Sequence, residues 1–327
     1  MNPTTPFISV IVPVYNRKQY MEQLLSSFEI LTYPRDCFEV IVVDNFSSDG
    51  TWEMLEKAHG NAAYTLRVFR NPSKIRTASS SRNFGVRQSR GQILAFTDSD
   101  CVVTPNWLQS GVRSFRPGVG MVQGRTIPHN GEAVPVFHHT VSVKVTNSYG
   151  ETCNIFYIRD YVMQVGGFDE QLGRIGSAAV WGEDTDLVYR IKALGKTFVP
   201  AQDALVYHHI VPTRFRSWLL EPVRAWLWPK VVKRHPGIRR DLLFGRYFFT
   251  RMTALFDLLL AGLLLGILWH WEFLFLGVPF LIAKYREGGA HLHSMMRLAR
   301  VAGGSLRAFV MFCTLLGSSV RFRSVVL

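Results

Sequence analysis

The chain offers its most reactive pattern at Asp98-Ser99-Asp100, directly after the apolar run Ile93-Leu94-Ala95-Phe96-Thr97. Residues i and i+2 of an extended backbone face the same way, so Asp98 and Asp100 can converge on one point at the end of a buried strand. Two close carboxylates repel unless a cation, a proton or a polar ligand lies between them. Hard oxygen ligands favour Mg²⁺ or Mn²⁺, ions that commonly also hold substrate phosphates. The competing reading is a turn in which Asp and Ser cap the backbone. Two other segments end alike: Pro13-Val14-Tyr15-Asn16 and Val43-Asp44-Asn45. If all three lie on one rim of a sheet, that rim can hold a nucleotide, with carboxylates accepting from a base or a ribose.

The elements that must position these residues alternate. Phe7–Val12 and Phe38–Val43 read as buried strands, and Leu66–Arg70 and Gln92–Thr97 as further ones. Helical spacing marks Lys18–Glu29, Trp52–Ala58 and Ser79–Arg90, with Ser48 or Asp49 as a cap for the second. Strands alternating with helices imply an α/β fold with a doubly wound, mostly parallel sheet. Further on, Gly120–Arg125 and Thr152–Arg159 read as strands, and Asp184–Leu194 as a helix closed by Gly195. Thr197–Pro200 and Ala204–Tyr207 read as two short extended pieces.

Near Pro212 the composition changes, which divides the chain into 1–212 and 213–327. Arg214, Arg216, Arg224, Lys230, Lys233 and Arg234 crowd the next stretch, interleaved with Trp218, Trp226 and Trp228. No nucleic-acid-binding signature accompanies them, so nucleic acid is not an expected partner. Leu258–Trp269 and Phe273–Ala283 follow, split by His270-Trp271-Glu272. Basic residues and Trp beside an apolar stretch suit the cytoplasmic face of a membrane with anionic lipids. Thr253–Ala283 is long enough for one tilted span or for a hairpin of two helices. Lys284, Arg286, Arg297, Arg300, Arg321 and Arg323 agree with both hairpin ends on the cytoplasmic side. Ala302–Val320 reads as an interfacial or re-entrant helix. The net charge of +13 over 327 residues fits an anionic surface. The four cysteines form no CxxC pair, which excludes a disulfide framework and fits a reducing compartment.

In order, Ser9–Asn16, Val43–Thr51, Ser81-Arg82-Asn83-Phe84-Gly85, Asp98-Ser99-Asp100, Gly166–Glu170 and Gly182-Glu183-Asp184 resemble a bacterial-type, membrane-associated family 2 glycosyltransferase with the GT-A fold. The resemblance spans roughly residues 7–210. It implies transfer of a sugar from a nucleotide-sugar to a lipid-linked or surface-glycan acceptor, with inversion and a Mn²⁺ or Mg²⁺ ion, at the cytoplasmic face of the cell inner membrane. By the same resemblance Pro13, Tyr15, Asn16, Asp44, Arg82 and Asp98 bind the donor, with Asp44 on the base. Asp98 and Asp100 bind the metal, and His208 or His209 completes its shell. Asp184 becomes the general base and Glu183 orients it or the acceptor; the alternative is that both merely favour a helix N-terminus. Trp181 stacks on the acceptor or fills a core. Asp186 is expected to be solvated or capping, and the small residues of Gly173–Ala179 suit an acceptor loop. Asn45 departs from relatives with Asp there, which bears on the base. No Gln-x-x-Arg-Trp motif is present, which favours single-sugar transfer over processive synthesis. The rival readings are a nucleotidyltransferase, whose Gly-rich first loop is missing here, and a GT-A sugar-binding module without activity.

Overall fold

The computed structural model describes residues 5–129, 134, 137–144, 149–175, 178–287 and 294–327. They form two compact units. The first contains, in chain order, β1 (Ile8–Val14), α1 (Lys18–Glu29), β2 (Phe38–Asp44), α2 (Thr51–His59), β3 (Thr65–Arg70), α3 (Ala78–Gln88), β4 (Ile93–Thr97) and β5 (Cys101–Val103). Then follow α4 (Trp107–Arg113), β6 (Val119–Pro128), β7 (His138–His139), β8 (Asn154–Ile158), α5 (Arg159–Gln164), β9 (Arg174–Ile175), α6 (Glu183–Lys192) and β11 (Thr197–His208), while β10 (Ala178–Ala179) falls in the second unit and β12 (Val211–Pro212) lies at the boundary. The two-residue strands β7, β9, β10 and β12 stay outside the main sheet.

The sheet has eight strands in the order β3-β2-β1-β4-β8-β6-β11-β5. β1 pairs in parallel with β2 and β4, and β2 with β3. β8 runs antiparallel between β4 and β6, and β5 antiparallel on the edge. The chain therefore reverses its strand order at β1 and β4, and their carboxyl ends flank the crevice where open α/β sheets hold ligands. The near-continuous apolar runs of β1, β2 and β4 follow from burial on both faces. Met21, Leu24 and Phe28 of α1 pack on one face. On the other, α3 comes so close that a Cβ on Gly85 would sit 2.6 Å from the Ile11 side chain.

Three differences from the sequence reading have local causes. The edge strand β5 and the helix α4 have too short a pattern to register. The two extended pieces near residue 200 are one strand, β11, whose register against β6 shifts between Ala201 and Leu205. The shift breaks the apolar alternation and makes one strand read as two. Asn154 closes the break: its Nδ2 donates to the carbonyls of Arg125 and Ala204, both at 2.8 Å, and its Oδ1 accepts from Trp107 Nε1 at 2.8 Å.

The second unit takes in Ala178–Gly182 and everything from Pro212 onward. It contains α7 (Phe215–Leu220), α8 (Trp228–Arg234), α9 (Ile238–Asp241), α10 (Arg251–Leu268), α11 (Val278–Glu287) and α12 (Ser294–Phe322). The hairpin of the sequence reading is present, but its return leg is a 3₁₀ segment, Trp271–Gly277, that leads into α11. The legs pack closely, with the Phe256 and Phe280 rings 5.1 Å apart. Arg251–Leu268 and Val301–Phe322 are the helices among the described residues that are long and apolar enough to cross a membrane.

Candidate active site

The site grows from the carboxyl ends of β1, β2 and β4. Asn16 follows β1 in a left-handed conformation (φ 50°). Its Oδ1 accepts from the Ser48 N–H at 2.8 Å, and its own N–H donates to Ser47 Oγ at 2.8 Å. Ser47 Oγ in turn donates to Asp44 Oδ1 at 2.5 Å, and the Ser47 N–H lies 3.2 Å from both carboxylate oxygens. Asp44 is thus fully buried and held by its own loop. Tyr15 is exposed beside it, and Pro13 is partly buried in β1. Asn45 accepts from Asn71 Nδ2 at 3.1 Å, and Asn71 also reaches Ser80 and Ser81 of α3. The cap position of α2 is Gly50 (φ 84°) and neither Ser48 nor Asp49, which corrects the expectation; Asp49, one residue earlier, accepts from the Thr51 N–H at 3.1 Å.

Beyond β4 the backbone is not extended. The Cys101 N–H donates to the Asp98 carbonyl at 3.2 Å, so Asp98–Cys101 forms a turn. The expectation that two same-facing carboxylates converge is corrected accordingly: each acid has its own partners. Asp98 Oδ1 accepts from Arg82 Nη2 at 2.9 Å. Asp100 stands 3.5 Å from Arg17 Nε through one oxygen and 3.4 Å from His208 Nε2 through the other. Repulsion between the acids is therefore relieved by two guanidinium groups.

His208 comes to Asp100 because β11 pairs with β5, which puts His208 opposite Cys101. Its Nδ1 lies 2.8 Å from the His209 carbonyl, a contact that requires Nδ1 to carry the proton. In the neutral ring Nε2 then presents its lone pair to Asp100. A carboxylate oxygen and an imidazole nitrogen facing each other with lone pairs call for a cation or a proton between them. That is the usual arrangement of a metal-ligating His with its second nitrogen fixed by a carbonyl. Asp100, Cys101 and His208 offer ligand atoms within 4.8 Å of one another. Cys101 is an unsuitable third ligand, because burial, with Cys153 and Asp100 nearby, pushes its thiol well above its ordinary value. Asp98 stands outside this group. His209 turns its ring elsewhere, stacked 4.6 Å from His129 and tilted 4.9 Å from Tyr20. Burial, then His129, lowers its pKa.

Arg82 joins the two halves of the site. It lies on α3, whose Thr77 capping box fixes the helix start. One amino group holds Asp98, and the other lies 3.7 Å from Glu183 Oε1 and 3.7 Å from Asp184 Oδ1. Burial alone would lower the guanidinium pKa, but Asp184, Asp98 and Glu183 together raise it. The neighbouring Asn83 accepts from the Phe168 N–H at 2.8 Å and donates to the Phe168 carbonyl at 2.9 Å. Gly167, with φ +74°, permits this approach; a Cβ there would lie 2.5 Å from Asn83 Oδ1.

Asp184 opens α6 and is held by Thr152, whose N–H and hydroxyl donate to Oδ2 at 3.1 and 3.0 Å. Burial raises its pKa; Arg82 and Thr152 pull against this, Asp98 adds to it, and the net direction is up. A carboxylate with raised proton affinity is a better proton acceptor near neutral pH. Asp186 differs from expectation. It is fully buried, and Arg190 Nε donates to it at 2.7 Å. The i,i+4 spacing turns it inward, and Arg190 also holds the Val165 and Gly167 carbonyls. Trp181 belongs to the helical unit: its N–H donates to the Arg224 carbonyl at 2.7 Å, and the Arg224 guanidinium lies 5.3 Å over its ring. In the expected loop Gly173–Ala179, Gly176 and Ser177 lie outside the described residues. Sequence reasoning missed Arg17, Asn71 and Thr152, polar loop or helix-end residues that carry no signal until a fold brings them to an acid.

Residues 9–171 match the family described as Glycosyl transferase family 2. Glycosyltransferase AglE of Haloferax volcanii is 32% identical over 221 residues, which cover 65% of this chain and 70% of AglE. The poly(ribitol-phosphate) β-N-acetylglucosaminyltransferase TarS of Staphylococcus aureus is 34% identical over 130 residues, 39% of this chain but 22% of TarS. Mannosyltransferase PcManGT of Pyrobaculum calidifontis, solved with GDP-Man and Mn²⁺, superposes with a TM-score of 0.59 at 20% identity, over 97% of this chain and 87% of that one. TarS 1-349 with UDP-GlcNAc superposes with a TM-score of 0.51 at 20% identity, over 97% and 92%. These two likenesses show a shared GT-A fold.

Proposed function

The chain belongs to glycosyltransferase family 2, and we propose that it is a metal-dependent, inverting enzyme that adds one sugar to a lipid-linked or surface-glycan acceptor. The observation that carries this reading is the buried Arg82, which ties Asp98 on the donor side to Asp184 at the start of α6. Donor and acceptor chemistry then share one electrostatic centre.

In this reading the nucleotide-sugar lies on the rim formed by Pro13, Tyr15, Asn16, Asp44 and Asp98. Similarity to relatives solved with GDP-Man and UDP-GlcNAc supports a nucleotide-sugar donor. Asp44 is assigned to the base in this reading; being fully buried and locked by Ser47, it would have to be uncovered by a shift of its loop to touch it. Asp100 and His208 would hold Mn²⁺ or Mg²⁺, with Asp98 beside them on the donor side; the donor set fits because their lone pairs otherwise oppose each other. A bound divalent ion supplies Lewis-acid stabilisation for a leaving diphosphate. Asp184 takes the proton from the acceptor hydroxyl, held in place by Thr152. Glu183 balances Arg82 and keeps Asp184 from being neutralised by it alone. Trp181 is our proposal for an acceptor contact. Direct displacement with a single base gives inversion.

The basic stretch after Pro212 and the apolar hairpin support residence at the cytoplasmic face of a membrane with anionic lipids. Two apolar helices and the kinship to glycan-building enzymes are what support it.

A panel of nucleotide-sugars incubated with the full chain, Mn²⁺ and a membrane extract tests the reading. Release of a nucleoside diphosphate with one sugar class, abolished by EDTA, is expected. Release of pyrophosphate from a nucleoside triphosphate and a sugar phosphate would instead reveal a nucleotidyltransferase.

A further inference from the structure

Helix α12 has an outward face of unusual uniformity. From Val301 to Val320 its exposed residues are Ala302, Leu306, Phe309, Cys313, Leu316 and Val320, and no others. Their intervals are 4, 3, 4, 3 and 4, so they form one straight stripe along the helix. The stripe holds no polar group except a thiol.

The other faces carry contacts at several levels of the helix. Trp218 lies against Gly303, and Trp226 against Gly317. Glu221 accepts from Arg307 Nη2 at 2.6 Å, and Lys233 Nζ donates to the Phe322 carbonyl at 3.1 Å. The helix therefore rests on the segment 218–233.

The stretch from Gly304 to the segment after the helix meets the same level of the hairpin twice. About a third of the way along α12, Gly304 lies against the Lys284 side chain, where the return leg finishes. At the other end Ser319 Oγ donates to the Val326 carbonyl, and Thr253 Oγ1, where α10 begins, donates to the Leu327 carbonyl at 3.0 Å. Phe256 meets Phe280, and Leu259 meets Gly277, so Lys284 and Thr253 both stand at the open mouth of the hairpin. About 22 Å of helix runs between Gly304 and Ser319. α12 thus crosses the mouth and does not run beside the legs.

We propose that α12 is an in-plane membrane helix whose stripe rests on the acyl chains of one leaflet, and that it is not a spanning helix despite its length and composition. The inference rests on the membrane reading given above. The 4-3 spacing alone would also suit a second copy of this helix. A second helix, however, would cover α12 and leave the hairpin bare, where Ile267 is 81% exposed and Trp269 73%. A leaflet covers both surfaces at once. Arg321 and Arg323, exposed at the helix end, face the anionic headgroups such a leaflet provides.

Cys313 supplies the probe, since Cys101 and Cys153 are buried and Cys37→Ser removes the remaining half-buried thiol. The full chain is bound to vesicles of phosphatidylethanolamine and phosphatidylglycerol. A nitroxide is placed on Cys313, or on Leu306→Cys or Val320→Cys in a Cys313→Ser background, and its depth is read by relaxation with oxygen and a water-soluble nickel complex. All three labels should lie at one shallow depth, within about one helical turn, ~5 Å. Depths that change steadily over the ~21 Å from position 306 to 320 would make α12 a span and overturn the inference while leaving membrane binding intact. Water-exposed labels with spin–spin coupling between Cys313 sites would place a second copy on the stripe instead. Failure of the chain to float with the vesicles would remove the membrane reading itself.

Discussion

His208 Nε2 faces Asp100 Oδ1 across 3.4 Å, while the opposite ring nitrogen is fixed by the His209 carbonyl. This pair predicts a divalent-ion site. Mn²⁺ titrated into the full chain should bind with one equivalent, followed by its electron paramagnetic resonance signal. His208→Ala should weaken binding by about 10–100-fold or more, as disturbing a metal shell typically does. Asp100→Asn should also cost roughly 10²–10³ in turnover, the usual scale for lost stabilisation of developing charge. Unchanged Mn²⁺ affinity in His208→Ala would remove the imidazole from the shell.

Arg82 governs both stability and proton affinity. Arg82→Gln leaves three carboxylates around a buried gap, and breaking a buried pair costs about 3–5 kcal/mol. Urea unfolding should show a loss of that order. Because Arg82 pulls the Asp184 pKa down against burial, its removal lets that pKa rise further. The acid limb of the kcat/KM profile should therefore move to higher pH in Arg82→Gln. An unmoved limb would mean that Asp184 is not the group titrating there.

The raised pKa of Asp184 has a stability consequence of definite sign. The folded chain binds this proton more tightly than the unfolded chain does. Its contribution is therefore fully present below the unfolded pKa and lost as pH rises through the folded one. At pH 7 the ionised group is a cost, and Asp184→Asn should unfold at an equal or higher temperature than the wild type. The difference should shrink as pH falls toward the ordinary carboxylate range. A marked drop in Tm at pH 7 would show that the Asp184–Arg82 attraction outweighs burial.

Asn154 bonds two carbonyls at the irregular step of β11 and accepts from Trp107. Asn154→Ala orphans two buried partners, the Ala204 carbonyl and Trp107 Nε1, at about 1–3 kcal/mol each, and the part-buried Arg125 carbonyl, so a loss of ~2 kcal/mol or more is expected in denaturant unfolding. Loss below 1 kcal/mol would mean that water replaces the side chain.

The strands that carry the rim were legible because they are buried on both faces and written as apolar runs, as in Val40-Ile41-Val42-Val43. The acids at their ends were legible as types, but their pairing was not. Asp98 and Asp100 share one short motif, yet a turn sends one to Arg82 and the other to Arg17 and His208. Arg17 lies 83 positions from Asp100 and His208 lies 108, distances that no local pattern bridges. Asp186 misled because a carboxylate in a first helical turn usually meets solvent; here Arg190, one turn later, neutralises it inside the fold. The helical unit hid its layout for another reason. Apolar content fixes which segments avoid water, and only the contacts of Lys284 and Thr253 show that α12 crosses the mouth of the hairpin.

Asp184 as proton acceptor, with the donor held elsewhere, is tested most directly by Asp184→Asn in two parallel measurements. One is the Kd for the accepted nucleotide-sugar with Mn²⁺, by calorimetry. The other is single-turnover transfer of the labelled sugar to acceptor. The donor Kd should stay within about twofold of wild type, because the rim residues and Arg82 remain, while transfer should fall by at least 10²-fold, as loss of a positioned base predicts. Transfer at the wild-type rate, or a donor affinity that collapses while bound donor still turns over, would contradict the assignment.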